Sequence, residues 1–399
     1  MTPVRPLLRG DVDDYLRLRR ASFGLPRDLV DAEARAILTS RLPYSRGVDH
    51  GGQLVAACTW FPFPAWIGGV RVTTGALAAV VSAPESRRRG NVRELVLDGL
   101  RELHEAGVGW SIEYPFDPAF YARLGYRSFP NGVVLDLPID RLPGDVRDTT
   151  FAPVPDLDPE LRRIRTVFAA AHGFGLDRDE PGPEPGEATT LRWRRIFEAP
   201  TDDATPATAY RTEGGYAIVA TEGFGPDGVL HVVDAAWTDG AARRRVLAML
   251  RAWRGQVGTV RLDLPPYDPL ALSEAPRHAR ERTVLQGRIV DVASALAPLR
   301  PARPPGRASV SFELHDPHCP WNEGRWRAEL HADGCVVERH ARGDADVRLA
   351  ADALAAVLAG VPPSALLATG EVEGDLGALH ALAATTADHP PFQGVVDHF

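Results

Sequence analysis

The segment from Val80 to Leu100 constrains the fold of this chain more than any other. It reads VVSAPESRRRGNVRELVLDGL, an apolar run, a turn with three arginines and a glycine, and then a helix with one apolar face. A strand that passes through a turn into an amphipathic helix is typical of layered α/β domains. A helix start leaves backbone N–H groups unpaired, and with nearby guanidinium groups these bind phosphates. Gly90 lets the backbone approach an anion closely. The turn alone fits a solvent-exposed basic loop equally well.

Apolar periodicity divides the chain into three units. The 399 residues exceed what one hydrophobic core usually serves. Residues 1–148 alternate between strand and helix patterns, and residues 149–285 repeat strands followed by a helix and a strand. Residues 286–399 begin with alternating antiparallel strands and end in short Ala/Leu-rich helices. We therefore predict two α/β domains followed by an α+β domain, with boundaries after residues 148 and 285.

Composition excludes several classes of function. The net charge of −8 argues against nucleic-acid binding, which needs a basic face, and favours cationic small molecules. Three cysteines without CxxC spacing predict no disulfide framework and a reducing compartment. The uncharged stretch from His50 to Val70 contains two prolines and Gly pairs, which predict strands rather than a membrane span. No export signal is visible, so we expect a soluble cytoplasmic protein.

Two segments have alternative interpretations. HDPHCP places His315, His318 and Cys319 close together, but no fourth ligand follows at zinc-finger spacing. We therefore expect a turn between strands and no metal. The acidic loop from Asp177 to Glu187 is either an attractor for cations or a solvated connector, and the connector is favoured.

Several motifs together resemble one family. They are, in chain order, APESRRRGNVRE, FYARLGY, TVRLDLPPYDPL, FELHDPHCPWNEGRW and the closing Phe399. The first resembles the acyl-CoA pyrophosphate loop of the GNAT acetyltransferase superfamily. The whole set, spread over nearly the full chain, resembles the enhanced intracellular survival (Eis) acetyltransferases. This resemblance implies two GNAT-like domains followed by a sterol-carrier-like domain, acetyl-CoA as donor, amines as acceptors and a homo-hexamer.

The resemblance also implies which residues bind the donor. Three features of the family carry over position by position. They are the strand that meets the pantetheine arm, the pyrophosphate loop, and a pair of residues that contacts the donor. The residues are Val80, Val81 and Ser82, then Arg88, Arg89, Gly90, Asn91, Val92 and Arg93, then Phe116 and Asp117. Two departures stand out. Asn91 and Val92 differ from the superfamily pattern, and YPFDPAFY replaces a segment nearer to ASEGGIY.

Two residues carry the implied chemistry. Tyr121 falls on the family's general acid, and a phenol can protonate the thiolate that leaves when an amine attacks a thioester. Tyr126 is the rival, with packing at the next strand as its expected role. Phe399 falls on the family's general base, which is the terminal α-carboxylate itself. An amine arrives as ammonium and must lose a proton, and burial of the Phe399 ring would anchor that carboxylate.

The sequence therefore predicts an acetyl-CoA-dependent N-acetyltransferase acting on amines of cationic small molecules, with aminoglycoside-like compounds among the candidates. One alternative is an acyltransferase specific for a single biosynthetic intermediate, which the altered YPFDP segment keeps open. Another is a non-catalytic ligand-binding or assembly protein that uses its third domain.

Overall fold

The computed structural model describes residues 3–24, 31–144, 149–156, 158–179, 193, 196–197, 200–280, 285–301, 307–340, 343–394 and 397. These residues form three sheets of eight, seven and five strands with helices between them. The strands are β1 Val4–Pro6, β2 Ser45–His50, β3 Gln53–Ile67, β4 Val70–Ser82, β5 Trp110–Glu113, β6 Arg127–Ser128, β7 Val133–Pro138, β8 Ala152–Val154, β9 Gly175–Leu176, β10 Thr208–Thr212, β11 Gly215–Glu222, β12 Gly225–Trp237, β13 Val257–Leu264, β14 Ala279–Arg280, β15 Gln286–Ile289, β16 Ser309–His315, β17 Gly324–His331, β18 Gly334–Arg339, β19 Val347–Ala350 and β20 Val372–Gly374.

The α-helices of the described residues lie between and after these strands. They are α1 Val12–Phe23, α2 Asp31–Arg41, α3 Asn91–Glu105, α4 Pro118–Ala122, α5 Pro159–Ala170, α6 Gly240–Leu250, α7 Pro269–His278, α8 Val292–Leu296, α9 Ala351–Leu358, α10 Pro363–Ala368 and α11 Leu376–Ala383. No helix in this part of the chain combines the length and the apolar character that a bilayer span requires.

The first sheet is buried on both faces. Its order is β1-β2-β3-β4-β5-β15-β6, with β9 paired to β3. Alternate residues of β3 point to opposite sides. Trp60 packs with helices α1 and α3, whereas Phe61 and Phe63 pack with the core of the third unit. The first domain therefore shares a continuous core with the third.

A tight turn joins the two long central strands of this sheet. Ile67 pairs with Val70, so Gly68 and Gly69 alone form the hairpin loop, with φ of 57° and 73°. Two successive positive φ angles define the hairpin turn that glycine favours. A Cβ on Gly69 would lie 2.6 Å from the ring of His389, so the hairpin tip also touches the C-terminal segment.

The second sheet has the order β14-β7-β13-β12-β11-β10-β8. Helix α5 packs on one face through Leu161, Ile164 and Phe168, and helix α6 packs on the other through Leu247 and Leu250. This is a second α/β layer structure of the predicted kind.

Two strands cross the predicted domain boundaries. β7 precedes residue 148, yet it pairs antiparallel with β13 of the second sheet. β15 follows residue 285, yet it pairs with β5 and β6 of the first sheet. The predicted boundaries therefore do not separate the sheets. Apolar alternation predicts that these segments are strands, but it carries no information about their partners.

The third sheet has the order β18-β17-β16-β19-β20, and helices α9, α10 and α11 cover it. The antiparallel strands and short helices of this unit were predicted; β19 and β20 were not, because each has only three or four residues. The predicted fold class, two α/β domains followed by an α+β domain, is confirmed.

Candidate active site

A bulge in β4 opens the first sheet. Thr59 pairs with Ala78 and Ala57 with Val81, so Ala79 and Val80 face Cys58 alone. Ala79 has a φ of 51°, a conformation that alanine rarely adopts. Such strain concentrates at functional sites, where a bulge re-aims the backbone.

The central parallel strands separate next to this bulge. β4 and β5 are paired only from Thr74–Trp110 to Leu77–Glu113, although β4 continues to Ser82. One edge of the last β4 residues therefore faces an opening instead of a neighbouring strand. A cleft of about 290 Å³ lies there. It is lined by Arg19, Phe23, Arg41, Leu77, Ala78, Ala79, Val80, Glu113, Tyr114, Phe116 and Tyr121.

The arginine turn that follows β4 is shaped for an anion. Arg87, Arg88 and Arg89 are exposed, and Arg88 has a φ of 60°. Gly90 is the N-cap of α3 with a φ of 83°, and no side chain caps this helix start. The first N–H groups of α3 are thus left for a ligand, beside exposed guanidinium groups. These features fit a pyrophosphate group.

The other residues predicted to bind acetyl-CoA differ in how exposed their side chains are. Asn91 is buried, and its side-chain amide donates to the carbonyl of Ser86 at 3.1 Å, so it braces the turn from inside. Val81 packs in the core, and Val92 packs against the same core. Arg93 is exposed and pairs with Glu94 at 3.0 Å. Ser82 is half-buried at the end of β4. Donor contacts from Val81 and Val92 would therefore come from their backbone.

Helix α4 holds the predicted acid at the cleft. The carboxylate of Asp117 accepts hydrogen bonds from the N–H groups of Ala119 and Phe120 at 3.0 and 3.3 Å, which fixes the start of this short helix. Pro118 at its first position favours the same start. Asp117 thus has a capping role in the structure, and its predicted contact with the donor stays a prediction.

Phe116 lies at the mouth of the cleft. Its side chain is 70% exposed, and its ring contacts Tyr121 edge-on with centroids 5.6 Å apart. A large apolar ring left in solvent beside a cleft is suited to contact a ligand.

The two rival tyrosines have different surroundings. Tyr121 lines the cleft, and its hydroxyl makes no hydrogen bond within the described part of the chain. Tyr126 does not line the cleft, and its hydroxyl is bonded to the hydroxyl of Ser111 at 2.6 Å. Burial, followed by the nearby Glu113 carboxyl, raises the pKa of Tyr121 well above its usual value. Tyr121 therefore stays protonated at neutral pH, and its hydroxyl is not engaged by another group of the described chain.

Glu113 is a cleft residue that the sequence did not indicate. It is 1% exposed, and one carboxyl oxygen has no hydrogen-bond partner. Burial raises the pKa of Glu113 to about 9, so the carboxyl is neutral at pH 7. Its only sequence signal is a glutamate at the end of an otherwise apolar strand, SIE, directly before the predicted site.

Phe399, the predicted base, lies outside the described residues. The segment that leads to it is anchored next to the cleft. Gln393 accepts a hydrogen bond from the hydroxyl of Tyr114, a cleft residue, at 2.7 Å. The N–H of Gln393 donates to the carbonyl of Asn131, and the N–H of Phe392 donates to the carbonyl of Gly173.

In the second domain, the described turn from β12 to α6 lacks the anion site found at the start of α3. β12 ends at Trp237 and α6 begins at Gly240, so no arginine turn separates them. Asp239 caps α6 by accepting from the N–H groups of Ala241 and Ala242, both at 2.8 Å. A carboxylate thus occupies the helix start that a phosphate would need. At this turn the second domain therefore does not match the first, and in this sense we call it degenerate.

The two ambiguous segments have structural partners. His315 pairs with Glu323, and His318 contacts the carbonyl of Arg123. Across the described residues no cluster of three metal-ligating side chains occurs. Asp177 pairs with Arg71 at 2.7 Å, and residues 180–187 of the acidic loop lie outside the described residues.

Family models match all three units. Residues 3–129 and residues 188–289 match two models that are each described as an acetyltransferase (GNAT) domain. Residues 292–394 match a model described as a sterol carrier protein domain.

The similarity to known proteins extends over nearly the full length of the chain. An uncharacterised N-acetyltransferase of Streptomyces coelicolor is 29% identical over 412 residues, which cover 92% of this chain and 92% of that protein. Among solved structures, a GCN5-related N-acetyltransferase from Anabaena variabilis has a TM-score of 0.83 at 21% identity, with full coverage of both chains. Eis1 from Mycobacterium abscessus has a TM-score of 0.77 at 20% identity, again with full coverage of both. The chain is therefore an N-acetyltransferase that combines two GNAT acetyltransferase domains with a sterol carrier protein domain, and its fold is similar to that of Eis1.

Proposed function

We propose that this enzyme transfers the acetyl group of acetyl-CoA to an amino group of a small molecule in the cleft between β4 and β5. One observation carries the proposal. The hydroxyl of Tyr121 is available in a cleft that opens at the β4 bulge, on the strand that leads into the arginine turn and the uncapped start of α3. The same strand thus connects a candidate phosphate site to a candidate acid.

The donor would lie along β4. The N–H groups at the start of α3, with Arg88 and Arg89, would hold its pyrophosphate. The β4 edge from Val80 to Ser82 would hold the pantetheine arm. Acetyl-CoA supplies the thioester, and the residues of the chain position it and move protons.

The chain supplies one proton acceptor and one proton donor for the reaction. The acceptor loses its ammonium proton to the α-carboxylate of Phe399, and its free nitrogen then forms a bond to the acetyl carbon. The bond from that carbon to sulfur breaks, and the CoA thiolate takes the phenolic proton of Tyr121. The new amide nitrogen gives up its second proton to solvent, solvent reprotonates Tyr121, and the carboxyl of Phe399 releases its proton to solvent.

Two features of the protein favour different classes of acceptor. The net charge of −8 supports cationic amines such as aminoglycoside-like compounds. The described cleft lining instead contains Arg19 and Arg41, the neutral carboxyl of Glu113 and the apolar ring of Phe116. That lining favours the second candidate, an acyltransferase specific for one intermediate of lower positive charge.

A thiol-release assay with acetyl-CoA and a panel of amines tests the function and separates the two candidates. Turnover of many polyamines supports broad acetylation of cations, and turnover of one amine supports a single substrate. Tight binding of acetyl-CoA without turnover of any amine contradicts both.

The assembly is proposed from the family resemblance as a homo-hexamer. Exposed apolar side chains that an interface would cover include Phe224, at 80% exposure, and Leu272, at 61%. Sedimentation equilibrium should give six times the 43.3 kDa of one chain. A monomer mass across micromolar concentrations would contradict the hexamer.

A further inference from the structure

A buried cluster of ionic side chains holds the end of the chain against the second domain. Asp397 is 5% exposed, and its two oxygens accept from Arg165 Nη2 and Arg178 Nε, both at 2.6 Å. Arg178 also donates to both oxygens of Asp234, at 2.7 and 3.1 Å. The hydroxyl of Tyr216 donates to Asp234 at 2.6 Å. Two guanidinium groups thus face two carboxylates away from water.

This cluster occupies the place in the second domain that the donor cleft occupies in the first. The parallel pairing of β12 with β13 ends at His231 and Arg261, while β12 continues to Trp237. A bulge at Val233 follows, because Val219 pairs with Val232 and Ile218 with Asp234. Asp234 therefore lies just beyond a bulge where two parallel strands separate, as Val81 does in β4.

The charges of this cluster balance only when Asp397 is present. Although burial alone would raise it, the pKa of Asp234 is lowered to about 2 by Arg178. Within the described chain, Asp397 is the only hydrogen-bond partner of the Arg165 guanidinium, two of whose nitrogens are buried without one. Removal of Asp397 would leave Arg165 as a buried, unpaired cation, which proteins tolerate poorly.

Asp397 lies close to the end of the chain, so the cluster restrains the position of the terminal carboxylate. Phe399, which carries the terminal carboxylate, follows two positions after Asp397, so the α-carbons of these two residues are at most about 7 Å apart. On the other side, Gln393 is bonded to Tyr114 at the first-domain cleft. The terminal segment is therefore held at the first domain by Gln393 and at the second domain by Asp397.

We propose that the degenerate cleft of the second domain is a clamp for the C-terminus, and that Asp397 is a positioning residue that sets the α-carboxylate of Phe399 for proton transfer. The inference rests on the proposed function, because it assigns the purpose of the clamp to the base of that reaction. The second domain thus acts on catalysis in the first without binding a donor.

The test uses the full-length enzyme with an untagged C-terminus. Asp397→Asn keeps the shape of the side chain and removes its charge. Arg165→Met is a second variant that removes the cation with the fewest partners and keeps the contact of Asp397 with Arg178. Asp346→Asn is the control. Asp346 also accepts from an arginine, Arg307, and from the N–H and hydroxyl of Ser311, but it lies in the third domain.

Three readouts are compared: thiol release, acetyl-CoA affinity, and hydrogen–deuterium exchange of the C-terminal peptide. For Asp397→Asn we expect kcat to fall about a hundredfold, as for a catalytic group displaced by about 1 Å, with acetyl-CoA affinity unchanged. Exchange in the last ten residues should rise. Arg165→Met should show smaller changes of the same kind, and Asp346→Asn none in kcat.

Each other outcome is decisive. Normal kcat and normal exchange in Asp397→Asn, in an enzyme that turns over amines, overturns the clamp while the proposed function stands. Rapid exchange with normal kcat overturns the positioning role. Equal losses of kcat in Asp397→Asn and Asp346→Asn would reduce the effect to general destabilisation and overturn the inference. If Asp397→Asn does not fold, Arg165→Met decides by the same criteria. A wild-type enzyme that binds acetyl-CoA but turns over no amine contradicts the proposed function. That result is obtained without the variants, so it is distinguishable from a failure of the clamp.

Discussion

Replacement of Glu113 by glutamine should stabilise the protein relative to the wild type, by an amount that grows as the pH rises. The carboxyl is 1% exposed and one of its oxygens has no partner, so its charged form is strongly disfavoured in the fold. Burial raises the pKa of Glu113 from 4.5 to about 9. Glutamine has nearly the same shape and never ionises.

The sign and size follow from proton linkage. Below pH 4.5 the carboxyl is protonated in both states, and its favourable contribution is fully present. Between pH 4.5 and 9 the unfolded chain releases a proton that the fold retains, so the free energy of unfolding falls by about 1.4 kcal/mol per pH unit. The loss is about 3 kcal/mol at pH 7 and about 6 kcal/mol once the pH passes the folded pKa.

Urea denaturation of both proteins at pH 5, 7 and 9 measures this loss. The stability advantage of Glu113→Gln should grow from pH 5 to pH 9. Glu105→Gln is the matched control, because Glu105 is exposed at the end of α3 and its replacement removes one solvated charge. A difference between Glu113→Gln and wild type that does not change with pH would refute the buried neutral carboxyl.

Two further predictions concern the donor and the base. The double variant Arg88→Ala, Arg89→Ala should weaken CoA binding by about 1.5–3 kcal/mol per lost charge-assisted contact, and unchanged affinity in calorimetry would contradict the phosphate site. Deletion of Phe399 displaces the terminal carboxylate by up to about 3.5 Å, and a C-terminal tag converts it to an amide. Both variants should bind acetyl-CoA but lose nearly all turnover, whereas an N-terminally tagged enzyme should stay active. A fully active enzyme with an intact C-terminal tag would exclude Phe399 as the base.

Local sequence patterns predicted most of the elements of the fold. The pattern of the uncharged stretch from His50 to Val70 predicted strands where β3 lies, and the apolar spacing after Gly90 predicted α3. The exchange of β7 and β15 between sheets was not predictable, because pairing depends on contacts between residues more than 100 positions apart.

The candidate site was predictable where it follows one strand into one helix. Resemblance indicated Tyr121 and the arginine turn, and the structure places both beside the same opening of the sheet. Burial of Glu113 and the partners of Asp397 depend on the tertiary fold. A carboxylate next to the end of a chain gives no sequence signal that two arginines more than 200 residues away will bury it.

The central claim is that Tyr121 donates the proton to the leaving thiolate. Tyr121→Phe removes only a hydroxyl that has no hydrogen-bond partner within the described residues, so the fold and acetyl-CoA affinity should be unchanged. Tyr126→Phe removes the bond to Ser111 and should cost about 1 kcal/mol of stability with little effect on rate. The decisive measurement is kcat for thiol release by these two variants, with an acceptor amine that the wild-type enzyme turns over. We predict a loss of about 10²–10⁴-fold for Tyr121→Phe and a mild effect for Tyr126→Phe. Wild-type turnover by Tyr121→Phe, or a large loss confined to Tyr126→Phe, would contradict the assignment.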